Sequence, residues 1–204
     1  MPTRLIRSVI VLAVLAAAVA APAATVGKRA PAFSARDLDG KTVSLAALRG
    51  KYVVLEWHNK GCPFVVKHYA SGNLPRLQQK WTGKGVAWLS IVSSAPGTQG
   101  CVTAEEARED IASTKTAVTA MLLDPDARIA RAYGAKCTPH MFVIDPKGVL
   151  IYNGAIDDHA TSDAEDIAGS VNFVDQALSE ALAGKPVSVS STRPYGCGVK
   201  YPKS

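Results

Sequence analysis

The residue with the clearest chemical potential is Cys62. It follows the apolar run Tyr52–Trp57 (YVVLEW) by a short loop, and Pro63 comes directly after it. Proline suits the first turn of a helix, because its missing N–H would have no intrahelical partner there. Cys62 is therefore expected at a helix N-terminus, where free N–H groups and the helix dipole favour the nucleophilic thiolate. Lys60 and Lys67 are near enough in sequence to add positive charge. Glu56 interrupts the apolar run six residues before Cys62. An ionised carboxylate inside a buried strand is costly, so the pKa of Glu56 is expected to rise. A carboxyl raised in this way can take and return a thiol proton. The alternative is a Glu that reaches the surface at a strand end or pairs with a lysine.

Three further cysteines, Cys101, Cys137 and Cys197, allow three complete pairings with Cys62. The histidines carry weaker signals. His58 and His140 flank the site in sequence. His68 lies on the helix after Cys62 but not on its face, which favours packing or hydrogen bonding. His159 sits in a polar loop and reads as surface. A Cys62–His140 metal site has no ligand spacing behind it, and neither a metal nor a bound cofactor is expected. Trp57, Trp81 and Trp88 read as core.

These residues need a scaffold, and the chain alternates strand and helix patterns around them. A turn at Asp37-Leu38-Asp39-Gly40 before Lys41-Thr42-Val43 opens the domain with a hairpin. Ser44 can cap a short helix ending near Gly50. YVVLEW and Val86–Val92 are continuous enough for strands covered on both faces. Cys62–Lys80 is mostly helical, interrupted at Ser71-Gly72-Asn73. Thr103 starts a helix, with Glu106 completing a capping box. Ala120–Leu123 is a short strand and Ala127–Tyr133 a short helix. Met141–Asp145 and Val149–Ile156 form a hairpin through Pro146-Lys147-Gly148, and Phe173–Leu182 is the last helix. The pattern predicts one α/β domain over residues 24–184, built on a central mixed sheet, with a C-terminal tail over 185–204.

Composition sets the outer limits. The chain has 204 residues, 48% of them hydrophobic and 20% charged, which excludes a disordered chain. The net charge of +6 comes from scattered basic residues without interleaved aromatics, so nucleic-acid binding is not expected. Arg4 and Arg7 precede an apolar stretch, Ser8–Ala20, and the small-residue steps Ala18-Val19-Ala20 and Ala21-Pro22-Ala23 follow. This is the pattern of a secretory signal peptide over residues 1–23. It predicts export, in a bacterium to the periplasm, with no stable membrane association after cleavage. Export places the cysteines where disulfides persist.

The run LEWHNKGCPF resembles the strand–loop–helix that carries the redox cysteine of the thioredoxin superfamily. Thr138-Pro139 resembles the cis-proline loop that faces that cysteine. The helix and strand between Thr103 and Leu123 resemble the insertion of the redoxin branch, which includes the alkyl hydroperoxide reductase/thiol-specific antioxidant (AhpC/TSA) proteins. CPFVVKHY, GAIDD (Gly154–Asp158) and TRPYGCGVKY together resemble a group of exported redoxin-domain proteins. The resemblance implies a thioredoxin-like fold and a thiol oxidoreductase using Cys62, with Glu56, Thr138 and Pro139 as further site residues. Its substrate would be a protein thiol or disulfide or a peroxide, and a separate thiol would donate electrons.

The sequence departs from the family patterns at three places. Val65 stands where thioredoxins have their second cysteine. Leu55 and Asn59 stand where peroxiredoxins have a proline and a Thr/Ser hydroxyl. The two-cysteine metal loop of other relatives is also missing. A peroxiredoxin-type peroxidase and a non-catalytic binding module are the alternative readings. The resemblance further implies that Cys62 and Cys197 are the group's own cysteines and that Cys101 and Cys137 are extras at one sheet edge. A structural Cys101–Cys137 disulfide is then expected, leaving Cys197 to resolve. The rival is a Cys62–Cys137 redox pair with Cys137 as resolver.

Overall fold

The structure is a computed structural model, and it describes residues 24–203. The signal-peptide reading falls on residues outside that range. Among the described residues no helix is long and apolar enough to cross a membrane.

The strand that ends just before the Cys62 loop, β3 (Val53–Trp57), is buried at every position. It runs parallel to β4 (Ala87–Val92) and antiparallel to β7 (His140–Ile144). With β5 (Ala120–Leu123) outside β4 and β8 (Leu150–Gly154) outside β7, the mixed sheet has the order β5-β4-β3-β7-β8. Before it come β1 (Ser34–Arg36) and β2 (Thr42–Ser44), the expected opening hairpin.

Alternation along β3 divides the core in two. Val53, Leu55 and Trp57 face α4 (Arg128–Tyr133), together with Leu89, Ile91 and Phe142. Val54 faces the other layer, which holds α1 (Pro63–Ala70), α2 (Asn73–Thr82) and α5 (Phe173–Leu182). Trp57, Trp81 and Trp88 are all buried. α3 (Ala104–Thr114) starts at Thr103 with a complete capping box, in which Thr103 and Glu106 bond each other's backbone N–H.

Periodicity did not reveal what the tail does. It returns across the sheet, where Thr192 N donates to Asn153 O (3.2 Å) and Ala95 N donates to Lys200 O (2.9 Å). A two-residue strand, β9 (Cys197–Gly198), pairs antiparallel with β6 (Cys137–Thr138). Elements this short carry no repeat for a sequence pattern to register.

Candidate active site

Cys62 is the N-cap of α1, with extended backbone and Pro63 in the first turn, as its position before a proline predicts. Its side chain has no solvent exposure. The sulfur lies 3.0 Å from the carbonyl oxygen of Thr138, to which the thiol donates. The Thr138–Pro139 peptide is cis. β9 brings Cys197 opposite Thr138, and Cys197 packs against the cluster that holds Cys62. Burial raises the Cys62 pKa, but the bonds from Cys197, the Thr138 side chain and the Val65 N–H outweigh it and lower the value. Cys197 is pushed the other way, to about 11, by burial and by the bond it gives to Cys62. The pair therefore ionises at Cys62 first, while Cys197 keeps its proton. Lys60 is exposed, and Lys67 is buried with its Nζ donating to the carbonyls of His159 (3.1 Å) and Thr161 (3.2 Å). The thiolate is favoured by hydrogen bonds, not by the two lysines.

The structure does not join Cys101 to Cys137. All four cysteines are free thiols, Cys101 is exposed and Cys137 is buried. The expected disulfide fails because the tail, not the Cys101 loop, covers Cys137. Gly198 pairs with it, and its sulfur donates to the Tyr195 carbonyl at 3.1 Å. Burial and the neighbouring Cys62 and Cys197 push the Cys137 thiol up to about 12, so three thiols share the site and one is held inert. The rival Cys62–Cys137 bond is not formed either.

Glu56 is fully buried, as expected, but the direction of its pKa is not. Burial raises the carboxyl, and the neighbouring His58 with the bonds from Tyr69 and Trp88 more than reverses this, so it is held below the usual value. Oε1 accepts from Tyr69 Oη (2.6 Å), and Oε2 accepts from Trp88 Nε1 (2.7 Å) and Gln78 Nε2 (3.0 Å). His58 Nδ1 stands 3.7 Å away, and His58 Nε2 bonds Asp110 Oδ2 at 2.9 Å. Burial lowers His58, and its two acidic partners overcome that to raise it to about 9. Glu56 is thus a permanent anion tying α1, α2 and β4 together. Among the described residues no hydrogen bond links Glu56, His58, Tyr69, Gln78 or Trp88 to Cys62.

His68 and His140 are buried. Burial lowers both His68 and His140 to about 4. His140 bonds Asn153 Oδ1 (2.8 Å) and accepts from Lys136 N (3.2 Å), so it is not a partner of Cys62. Among the described residues no cluster of three or more His, Cys, Asp or Glu is placed to hold a metal ion. His159 is half-exposed beside Asp158 (2.8 Å). Leu55 is core, and Asn59 Oδ1 accepts from Gly61 N (2.9 Å), bracing the loop before Cys62. A cavity of about 680 Å³ lies between α1, α2 and α3 and is not lined by Cys62.

Sequence reading missed the contact that closes the site. Tyr195 Oη donates to buried Asp157 Oδ1 and lies 3.2 Å from His68 Nε2. One residue on, Gly196 has φ +126°, and a Cβ there would collide with the Thr138 carbonyl oxygen. The available signal was that CPFVVKHY, GAIDD and TRPYGCGVKY occur in one chain. His68, Asp157 and Tyr195 are one residue from each.

The fold recurs in solved structures. A hypothetical protein from Sinorhizobium meliloti is 25% identical, with a TM-score of 0.75 over 90% of this chain and 98% of its own. An uncharacterized conserved protein from Geobacillus kaustophilus is 27% identical, with a TM-score of 0.75 over 88% of this chain and 94% of its own. The thioredoxin domain of a thiol-disulfide oxidoreductase from Bacteroides vulgatus is 22% identical, with a TM-score of 0.52 over 71% and 96%, and shows the thioredoxin-like fold. No curated protein matches the chain. The AhpC/TSA family model matches residues 26–153, more than half the sequence, and the chain belongs to the AhpC/TSA family.

Proposed function

We propose that this chain is an exported thiol-disulfide oxidoreductase in which Cys62 is the nucleophile and Cys197 the resolving cysteine. The observation that carries this reading is the antiparallel pairing of β9 with β6, which sets Cys197 opposite Thr138 and against the cluster that holds Cys62. It supplies the second thiol that Val65 fails to provide within the helix. The Cys62 thiolate attacks one sulfur of a substrate disulfide, and the other sulfur leaves as a thiolate and takes up a proton. Cys197 then loses its proton and attacks the Cys62 sulfur. This expels the second substrate thiol and leaves a Cys62–Cys197 disulfide. The substrate disulfide has gained two electrons, and an external thiol donor returns the enzyme to its dithiol form. Thr138 holds the Cys62 sulfur in register through its carbonyl, on the loop that Pro139 shapes. Protein disulfides are the substrate class that the compartment implied by residues 1–23 offers.

A second reading is favoured by one observation, the complete burial of Cys62. A small peroxide needs less opening than a protein disulfide. It would oxidise the Cys62 thiolate to a sulfenic acid, its own O–O bond giving an alcohol or water. Cys197 would then form the same disulfide with loss of water. Leu55 and Asn59, one in the core and the other bracing the loop, weigh against this reading as the main activity. A disulfide map of the reduced protein after one equivalent of oxidised glutathione, and separately of peroxide, tests both. A Cys62–Cys197 bond formed at least as fast by the disulfide supports the proposal. No such bond with either oxidant overturns it.

A further inference from the structure

The tail sits over a nucleophile that it must also uncover. Cys62 has no exposed surface, whereas Cys197, in the same site, is partly exposed. A bulky disulfide therefore reaches Cys62 only when the tail lifts, and the second step runs only when the tail returns. Something has to set the balance between the two states, and the residues that hold the tail are unusually specific. Tyr195, two residues before Cys197, donates its hydroxyl to Asp157 Oδ1, and His68 Nε2 lies 3.2 Å from the Tyr195 hydroxyl oxygen. His68 is itself fixed, its Nδ1 accepting from Asn73 Nδ2 on α2 at 2.9 Å. Asp157 also accepts from His159 N (3.1 Å), and its second oxygen is buried without a hydrogen-bond partner, 3.8 Å from His68 Nε2. The Tyr195 ring packs edge-on against Phe64 on α1, with centroids 5.8 Å apart. These groups come from α1, from the loop after β8 and from the tail. None of them has a part in the chemistry described above.

We infer that Tyr195, gripped by Asp157 and His68, is the clasp that docks the Cys197 tail on Cys62. It is a positioning residue that shields Cys62 before substrate attack and speeds disulfide closure after it. The physical argument rests on the cost of leaving Asp157 open. With Tyr195 docked, this buried carboxylate has a charge-assisted donor, and with the tail lifted it loses that donor. Docking is favoured accordingly, and lifting the tail also releases the short β6–β9 pairing and the bond from the Cys137 thiol to the Tyr195 carbonyl. Gly196 lets the tail approach the Thr138 carbonyl, so docking at Tyr195 fixes where Cys197 arrives. The inference rests on the proposed roles of Cys62 and Cys197.

Reaction of the reduced mature protein with 5,5′-dithiobis(2-nitrobenzoate) separates the two steps, because each releases one coloured thiolate. Exposed Cys101 is first replaced by serine so that it does not contribute. In this background the first release reports attack at Cys62, and the second reports closure by Cys197. Tyr195→Phe keeps the ring and removes the donor. The first release should become faster and the second slower, each by about tenfold, the worth of one hydrogen bond to a carboxylate. Intact mass should then find the Cys62 adduct accumulating. Asp157→Asn, close in shape, should shift both steps in the same directions and guards against a folding defect in the first variant. Opposite signs distinguish a clasp from general loosening, which would not slow one step while speeding the other. Unchanged rates, or both rates rising together, in folded variants overturn the inference. Cys197→Ser separates it from the reading beneath it. If Cys197→Ser still releases the second thiolate at the parent rate, the assignment of Cys197 fails. If it traps the Cys62 adduct while Tyr195→Phe closes normally, only the clasp fails.

Discussion

Two buried polar clusters lie on either side of the start of α1, and they are built on opposite terms. Glu56, His58 and Asp110 set two acids around a base, and every contact comes from the body of the domain: α1, α2, α3 and β4. Cys62, Thr138 and Cys197 hold weakly polar thiols and a carbonyl, and one of the three arrives on the tail. A buried charge is tolerable only when its partners are permanent, since breaking such a pair leaves an uncompensated ion. A thiol tolerates burial far better, so its partner can leave and return. Burial alone therefore does not identify a reactive group. Burial under a detachable partner is the better mark, and under the proposed function Cys62 carries it and Glu56 does not.

The largest effect should come from removing either end of the thiol pair. Cys62→Ser should abolish single-turnover disulfide reduction. Cys197→Ser should allow the first attack and then slow resolution by at least about a thousandfold, because a thiol held beside its target acts at an effective concentration that solution thiols do not reach. Quenched-flow mass spectrometry of the mixed disulfide gives both results. Normal turnover by Cys197→Ser would move the chemistry away from the tail and undo the contrast.

The charged cluster should respond in stability and not in rate. Glu56→Gln removes the anion but leaves His58, Tyr69 and Trp88 arranged around it. A loss of about 3 kcal/mol is expected in denaturant unfolding, as for other broken buried pairs. The pH profile of Cys62 alkylation should keep its inflection, below the ~8.5 of a free cysteine. A shift of that inflection in Glu56→Gln would reconnect the clusters and restore the proton-shuttle role.

How much of this the sequence disclosed follows from the range of the contacts. Cys62 at a helix start, the strand before it and the capping box of Thr103 and Glu106 are set within a few residues, and all were legible. Thr138-Pro139 was legible through resemblance. The burial of Glu56 could be read from its neighbours, but the direction of its pKa could not. That depends on Tyr69, Gln78 and Trp88, which lie 13, 22 and 32 residues away and are brought together only by the packing of α1, α2 and β4. The Cys101–Cys137 expectation failed for a related reason. It assigned both residues to one sheet edge without seeing that β9 would fill the space beside Cys137. Tyr195 docking on Asp157 joins residues 38 apart through a turn of chain with no periodicity, and nothing local announces it.

The histidines carry the same contrast into pH dependence. His58 is raised to about 9, so its contribution is complete below the unfolded value of about 6.5 and is lost as pH rises toward 9. His68 and His140 are lowered to about 4, so their contributions are complete above about 6.5 and are lost as pH falls toward 4. Glu56, held low, adds to the acid-side loss only below its own unfolded range near 4.3. Stability should therefore peak close to pH 6.5, with each histidine shift worth about 3 kcal/mol. Melting temperature against pH should show both limbs. His58→Gln should flatten the alkaline one, and His68→Asn the acid one. A profile in which His58→Gln leaves the alkaline limb intact would mean that His58 is not held protonated by Glu56 and Asp110.

The smallest effect is expected where a thiol sits in the reactive cluster but belongs energetically with the fixed one. Cys137 is buried, and its sulfur donates to the Tyr195 carbonyl at 3.1 Å and lies 3.5 Å from the Pro139 carbonyl. Burial, with the neighbouring Cys62 and Cys197, pushes the thiol up to about 12. At neutral pH the thiolate needed for exchange is essentially absent. Serine can donate to the same carbonyls from nearly the same place. Cys137→Ser should therefore change stability by no more than about 1 kcal/mol, the net worth of one hydrogen bond, and leave both thiolate releases within about twofold of the parent. Proximity alone would predict otherwise, since Cys137 borders both Cys62 and Cys197. If Cys137→Ser trapped the mixed disulfide on Cys62 as Cys197→Ser is expected to, Cys137 would be the resolving cysteine. Distance to the nucleophile, and not hydrogen-bond control of its proton, would then decide which thiol reacts.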